Sequence, residues 1–394
     1  MFGDSDLLDV IVAGAGPVGS HVACKLAEQG YSVAVFEEHN TIGEPVQCTG
    51  IIGRECIERY HIPQEVVLFE SKSAKFFSPS GKYLRLAKDE VQAYIVDRTA
   101  MDLHLAHKAQ NDGAQYYLSS KVGDVRTNGT KVVLDIKAEG VSTSLESRAL
   151  VVTSGFGTKL PYKLRMGRVG DWVAGAQMEV EINGVDEVEV YLSQNIAPGF
   201  FGWLVPTGKN RGLVGLFSRK APRRHLDRFI ESLRSQGKIT AKGRITSGGI
   251  PLRPLPKTYA ERVLVVGDAA GQVKPTTGGG VYYGFICADI AVDVLSKAFD
   301  SDDFSAKAFS LYQKIWKKAI GKELKIGYWA RRVYERLSDR QIELMLRILE
   351  SRGIHEAMLN SDQMRFDWHG GLLLKWLKYI GPWRHLFGWN KDKS

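Results

Sequence analysis

The sequence predicts an α/β protein with an α+β insertion and a helical C-terminal region, and three observations predict it. A strand, a glycine turn, a helix and a second strand follow one another within residues 7–38. A second apolar strand followed by glycines and a helix lies near residue 264, and a basic stretch with helical periodicity begins after residue 304. The first two patterns belong to one nucleotide-type fold although a long stretch separates them, so the middle of the chain is partly an insertion.

Taken in order, "LLDVIVAGAGPVGSHVACKLAEQGYSVAVFEE" gives a buried strand, a turn at Gly14 to Gly19, a helix with Val18, Val22 and Leu26 on one face, and a strand ending at Glu37. "KVVLDIKAEG" and "GAQMEVEINGVDEVEVYLSQ" alternate apolar and polar residues like half-exposed antiparallel strands, and we assign a mixed sheet as a second domain. "RVLVVGDAAG" is a strand and "GVYYGFICADIAVDVLSKAF" a helix; "SLYQKIWKKAIGKELKIGYWARRVYERL" opens the C-terminal helices. The expected boundaries are 1–70, 91–165 and 255–303 for a discontinuous nucleotide domain, 71–90 and 166–254 for a substrate domain, and 304–394 for the helical region.

Composition narrows the class. With 394 residues, 44% hydrophobic and 25% charged, the chain is ordinary globular protein able to bury a core. Cys24, Cys48, Cys56 and Cys287 lack the paired spacing of a disulfide framework or a zinc site, which points to a reducing cytoplasm and to no metal. Asp4, Asp6 and Asp9 stand where a secretory signal is basic. The longest uncharged window, residues 190–208, is broken by Pro198, Pro206 and three glycines, so no membrane span is expected. A net charge of +9 suits an anionic partner, and no nucleic-acid motif accompanies it.

Gly14, Gly16 and Gly19 form G-x-G-x-x-G between strand and helix, with Pro17 inside the motif. The first glycine turns the chain, the second lets backbone amides approach a pyrophosphate, and the third lets helix and strand pack closely. Glu37, followed by Glu38, lies eighteen residues past Gly19 at a strand end, where a carboxylate accepts from ribose hydroxyls. The stretch "VGDAAGQVKPTTGGGVYYG" separates FAD from NAD. Asp268 at a strand end can hold a flavin's polyol, and amides of Gly278, Gly279 and Gly280 at a helix start can stabilise the negative charge of a reduced isoalloxazine. The fold is therefore Rossmann-like and FAD-binding.

"GAGPVGS", "IGEPVQCTG", "YIVDRTAMDLHL", "PGFFGWLVPTG" and "GDAAGQVKPTTGGGVYYGF" together resemble the geranylgeranyl reductase family of FAD-dependent enzymes, within the p-hydroxybenzoate-hydroxylase-like flavoproteins. Members reduce carbon–carbon double bonds of prenyl chains in archaeal-type lipids or chlorophyll precursors. The resemblance implies that Arg98 in "VDR" lies near the FAD phosphates and ribityl chain, and that Asp268, Pro275 and Thr277 to Gly280 meet the ribityl and pyrimidine side. It implies that Cys48, with Thr49 and Gly50, sits on a loop at the catalytic face. Related flavoproteins often read "A-D-G" where this chain has Ser154 before Gly155.

The implied activity is an FAD-dependent oxidoreductase acting on CH–CH groups, saturating geranylgeranyl chains of isoprenoid lipids or their precursors by hydride transfer from flavin N5. An isolated alkene needs proton delivery to one carbon as hydride reaches the other, and Phe200, Phe201, Trp203, Tyr282 and Tyr283 are candidates to stabilise the positive charge that builds. Cys48, Tyr282 or a bound water could supply the proton. Cys24 and Cys287 read as helix packing and Cys56 as a helix residue.

The rivals are an FAD-dependent aromatic monooxygenase and a non-catalytic flavin-binding electron carrier or redox sensor. The electron donor is open between NAD(P)H and ferredoxin, the latter implying a donor protein. The substrate that the resemblance implies is a prenylated lipid or an isoprenoid diphosphate. Residues 366–394 hold four of eight tryptophans together with Lys375, Lys378, Arg384, Lys391 and Lys393, and Leu372, Leu373, Trp376, Leu377 and Ile380 recur at helical spacing. That mixture suits a lipid interface, and the expected location is the cytoplasm with peripheral association at the inner membrane face.

Overall fold

Leu8–Ala13 and Val33–Phe36 are short, almost wholly apolar strands, as central parallel strands must be when both faces are covered. In the computed structural model, which describes residues 7–240, 243–351, 353, 355 and 366–368, they pair in parallel through Val10 with Val33 to Ala13 with Phe36. Two compact units are present. One comprises Met1–Val46, Arg98–Trp172 and Ile250–Leu324; the other comprises Gln47–Asp97, Val173–Gly249 and Lys325–Ser394.

The first unit is built on an eight-stranded sheet. Its main path runs Tyr259–Ala260, Val263–Val265, Val141–Val152, Leu8–Ala13, Val33–Phe36, Gln115–Tyr117, parallel from the second strand onward. Helix Pro17–Ala27 packs between helices Arg98–Asn111 and Val281–Ser301. Gly284 allows the second contact, since a Cβ there would come 2.5 Å from Val18. The strand Val132–Ala138, which its alternation assigns to a second-domain sheet although the expected boundary 91–165 places it in the nucleotide domain, joins this sheet, between Ser120–Thr127 and Val141–Val152, both antiparallel to it. The reason is packing: Val132, Leu134 and Ile136 form one core with Ile11, Ala34 and Phe36, a long-range partnership that local alternation does not reveal.

The second unit carries a mixed seven-stranded sheet, in the order Ile245–Pro251, Trp172–Glu181, Arg211–Ser218, Gly202–Gly208, Val188–Tyr191, Ser73–Phe77, Tyr83–Ala87. One pair, Val188–Tyr191 with Ser73–Phe77, is parallel. Helix Pro222–Ser235 buries Leu226, Phe229, Ile230 and Leu233, an i, i+3, i+4, i+7 stripe. Phe229 reaches the sheet at Gly202, where a Cβ would meet its ring at 2.9 Å. A small sheet of Ile51–Gly53, Ala93–Val96 and Val67–Ser71 contacts the strand Gly202–Gly208.

The long helix Ala306–Tyr334 contributes to both units, and Asp339–Ser351 follows it. Cys24, Cys56 and Cys287 lie buried in helices. The proposed lipid-facing residues beyond 368 lie outside the described residues. Among those described, no helix is long and apolar enough to cross a membrane.

The glycine motif yields a stability prediction. A Cβ on Gly19 would stand 2.0 Å from the Gly14 carbonyl oxygen and 2.6 Å from Thr153 Oγ1, whereas one on Gly16 would meet nothing within 4 Å. Gly19→Ala should cost about 3 kcal/mol or more in urea unfolding, and Gly16→Ala no more than about 1 kcal/mol.

Candidate functional site

In the first unit the glycine loop is held by backbone and by one carboxylate. Gly14, at φ +111°, lies against the backbone of Thr153 and Ser154, where any Cβ would come within 2.9 Å. Thr153 Oγ1 donates to the carbonyls of Ala13 or Gly14, at 3.1 and 3.0 Å. Glu37 Oε2 accepts from the Ala15 N–H at 2.9 Å, and Oε1 accepts from the His39 N–H at 3.0 Å. The acid expected to hold ribose fixes the loop. Glu38 pairs with Lys121. Gly16 caps helix Pro17–Ala27 with open space above it, so the unpaired N–H groups of the first turn can receive an anion.

Arg98 starts helix Arg98–Asn111 and grips the buried Asp102, with Nη2 at 3.1 Å from both carboxylate oxygens. Burial raises the Asp102 pKa, and Arg98 opposes that rise. The field of Arg98 also reaches Asp268. Asp268 keeps some access to solvent, yet the protein atoms around it lift its pKa to about 6 despite the opposing arginine. Its carboxylate rests against Gly280, where a Cβ would lie 2.4 Å from Oδ1.

Residues 274–280 curl into helix Val281–Ser301, with Gly278 N–H donating to the Lys274 carbonyl at 2.8 Å and Gly278 at φ +75°. Gly279 N–H donates to Thr277 Oγ1 at 3.4 Å. Lys274, buried, lies over Gly279 and precedes Pro275. Gly155, at φ +69°, has no neighbour within 4 Å of a Cβ position. Tyr282 and Tyr283 are buried in the first turn of the helix. Open space over Gly16, a carboxylate at a strand end, a buried lysine and glycine amides at a helix start fit the pyrophosphate, polyol and pyrimidine of FAD.

In the second unit, one face of the large sheet is built from a cross-strand row. Trp203 pairs with Gly215, and Gly215 with Gln177. With no side chain on Gly215, the Trp203 indole lies across it; a Cβ there would be 2.4 Å from the ring. Phe217 packs on Trp203 at 4.8 Å between centroids and on Phe201 at 5.5 Å, edge to face. The Cys48 loop is tied to this face, because Thr49 Oγ1 bonds the buried Gln177 Oε1 at 3.1 Å and Gln47 lies against Gly248. Cys48 is half-buried, and the Gly50 N–H donates to its sulfur at 3.4 Å.

Phe200 is buried, and the Arg331 guanidinium lies 3.4 Å above its ring centroid. Arg331 also donates to the Gly199 carbonyl, Tyr334 Oη to the Phe200 carbonyl at 3.2 Å, and Glu335 packs on Gly199. The first unit therefore gathers Gly14, Gly16, Gly19, Glu37, Arg98, Asp268 and residues 277–280. The second gathers Cys48, Thr49, Gly50, Phe201 and Trp203. Sequence reasoning missed Gln177, Gly215, Phe217, Lys274 and Arg331. Of these only Lys274 had a local signal, as the basic residue between Asp268 and the glycine run.

The lycopene cyclase protein family model matches residues 9–369. Digeranylgeranylglycerophospholipid reductase 2 of Methanothermobacter thermautotrophicus is 31% identical over 362 residues, covering 88% of this chain and 92% of the relative. The digeranylgeranylglycerophospholipid reductase of Methanocaldococcus jannaschii is 29% identical over 358 residues, covering 88% and 91%. A geranylgeranyl bacteriochlorophyll reductase-like protein from Thermoplasma acidophilum shares the fold, with a TM-score of 0.85 at 23% identity over 97% of this chain and 99% of that one. A variant of the halogenase PltM in complex with FAD shares it at a TM-score of 0.70 and 12% identity, over 96% and 92%.

The Asp268 environment sets a pH dependence. The folded chain, with the pKa near 6, holds this proton more tightly than the unfolded chain at about 3.9. The stability it contributes is therefore present below about pH 4 and lost as pH rises through 6. Urea unfolding of FAD-free protein should show Asp268→Asn removing a fall of about 2 kcal/mol between those limits.

Proposed function

Since the chain belongs to the geranylgeranyl reductase family, and to the family that the lycopene cyclase model describes, we propose that it is an FAD-dependent reductase saturating the double bonds of geranylgeranyl chains. Its substrate in this reading is a digeranylgeranyl glycerophospholipid, met at the cytoplasmic face of a membrane, with NAD(P)H or a ferredoxin supplying electrons. The observation that carries the reading is the 362-residue similarity to a reductase of that substrate, which is longer than either unit alone and so draws on both.

Bound FAD supplies hydride from N5 of its reduced ring. The amides around Gly16 hold the pyrophosphate, with Pro17 setting the helix start. Glu37 takes ribose hydroxyls with the lone pairs left by Ala15 and His39, and Asp268 takes the polyol. Arg98 and Lys274, with the amides of residues 278–280, favour negative charge at the pyrimidine. The apolar face of Phe201, Trp203 and Phe217 excludes water and stabilises positive charge on the alkene by about 0.5–2 kcal/mol per ring. Phe200, its own face taken by Arg331, backs that surface, whereas Tyr283, expected from the sequence to meet substrate, is buried within the first unit. The Cys48 S–H passes its proton to an alkene carbon, and the Gly50 N–H steadies the thiolate left behind. Tyr282 is the second candidate donor.

Anaerobically reduced protein mixed with a geranylgeranyl glycerophospholipid should gain two mass units per double bond in the lipid and return oxidised flavin without oxygen. Reoxidation only on admitting oxygen would favour the hydroxylase reading, and unchanged lipid mass would exclude the reductase.

Cys48→Ala should bind FAD normally and slow single-turnover reduction about 10²–10⁴-fold. Gln177→Leu, which frees Thr49 and with it the loop, should slow it about tenfold. Normal turnover in Cys48→Ala with loss in Tyr282→Phe would transfer the proton to the tyrosine.

A further inference from the structure

The turn after strand Arg211–Ser218 and the start of helix Pro222–Ser235 concentrate positive charge that the fold leaves largely without acid partners, although Arg223 Nε donates to Ser247 Oγ at 3.2 Å. Arg219, Lys220, Arg223, Arg224 and Arg228 fall within ten residues, with Asp227 the sole acid among them, and all five are exposed. Arg219 pairs with Glu335. Lys220, Arg223, Arg224 and Arg228 have no carboxylate within ion-pair distance among the described residues.

Arg224 and Arg228 stand one turn apart, where like charges repel, so the cluster works slightly against its own helix. The field is felt inside the fold: His225 is made harder to protonate by its burial and then by Arg228 and Arg224. The apolar stripe of the helix is already spent on the sheet, so the exposed face can bind by charge but not by insertion.

The position of the cluster indicates its ligand. Phe217 N–H bonds the Phe201 carbonyl at 3.4 Å, and Arg219 begins two residues later with its guanidinium 5.6 Å from the Phe200 ring. The cations therefore rim the end of the sheet at which the Phe200–Phe201 segment enters. We propose that this rim docks on an anionic lipid surface, its arginines on headgroup phosphates, and so presents the aromatic end of the sheet to membrane-borne prenyl chains. This rests on the reductase reading for its choice of lipid over an acidic protein partner.

The test uses FAD-loaded full-length protein and vesicles of phosphatidylglycerol or phosphatidylcholine, without prenyl substrate, so its result is independent of turnover. Each arginine near an anionic surface contributes about 1 kcal/mol, so Arg223→Gln/Arg224→Gln/Arg228→Gln should weaken phosphatidylglycerol binding about a hundredfold. Binding should be weak on phosphatidylcholine and lost near 1 M salt. Lys314→Gln/Lys317→Gln/Lys318→Gln, removing equal charge from helix Ala306–Tyr334, should keep most of it.

Reduction of detergent-dispersed substrate should be unchanged in the arginine triple, which separates docking from catalysis. Equal loss in both triples, unaltered binding in the arginine triple, or no binding by the unsubstituted protein would each overturn the proposal. So would rim-dependent capture of an acidic electron carrier with vesicles ignored.

Discussion

The approach of Gly19 to the Gly14 carbonyl and to Thr153 is the constraint from which the first unit follows. Because no Cβ intervenes, helix Pro17–Ala27 seats its first turn directly on the ends of the strands Leu8–Ala13 and Val141–Val152. That seat fixes the direction of the helix and leaves Gly16 under open space. Glu37 closes the loop by accepting from Ala15. One steric fact thus orders three glycines into different tasks: two hold backbone against backbone, and the middle one keeps room for a ligand.

The second unit depends on a clamp of another kind. A guanidinium removed from water is costly unless hydrogen-bonded, and Arg331 meets the Gly199 carbonyl while covering the Phe200 ring. Gln194 adds to the hold, accepting from the Gly199 N–H at 2.5 Å and donating to the Leu337 carbonyl at 2.7 Å, while Asp339 accepts from the Gln194 N–H. The segment that delivers Phe201 and Trp203 is consequently pinned on both sides of its turn. A rigid aromatic surface loses little entropy on receiving a flexible chain, which is what recognition of a featureless hydrocarbon requires.

What could be read from the sequence was what lies close along it. The βαβ unit, Glu37 at its strand end and the glycines before Val281 are written in local spacing, and their chemistry follows from residue type. The partners of Cys48 are not local: Thr49 and Gln177 stand 128 residues apart. Nor is there a local sign that Gly215 is where Trp203 lies, because that depends on the register of two strands. The "GFFGW" segment advertised its aromatic content but not that Phe200 would be covered by an arginine 131 positions away. Val132–Ala138 shows the same limit, since alternation identifies a strand but not the sheet it joins.

The two units also differ in how they treat charge, and this bears on why a thiol suits the proposed acid. Asp268 sits where its pKa climbs to about 6, and even so it is mostly ionised at neutral pH. A carboxylic acid among Phe201, Trp203 and Phe217 would need a far larger rise to keep its proton, and an ionised one would repel hydrocarbon and attract water. Free thiols titrate near 8.5 and behave as small apolar groups while protonated. A cysteine can therefore stand beside an alkene without wetting it and still part with a proton as positive charge develops, provided a donor waits for the sulfur. The Gly50 N–H, already directed at Sγ, is such a donor, and it belongs to the same four-residue loop that Gln177 holds in place.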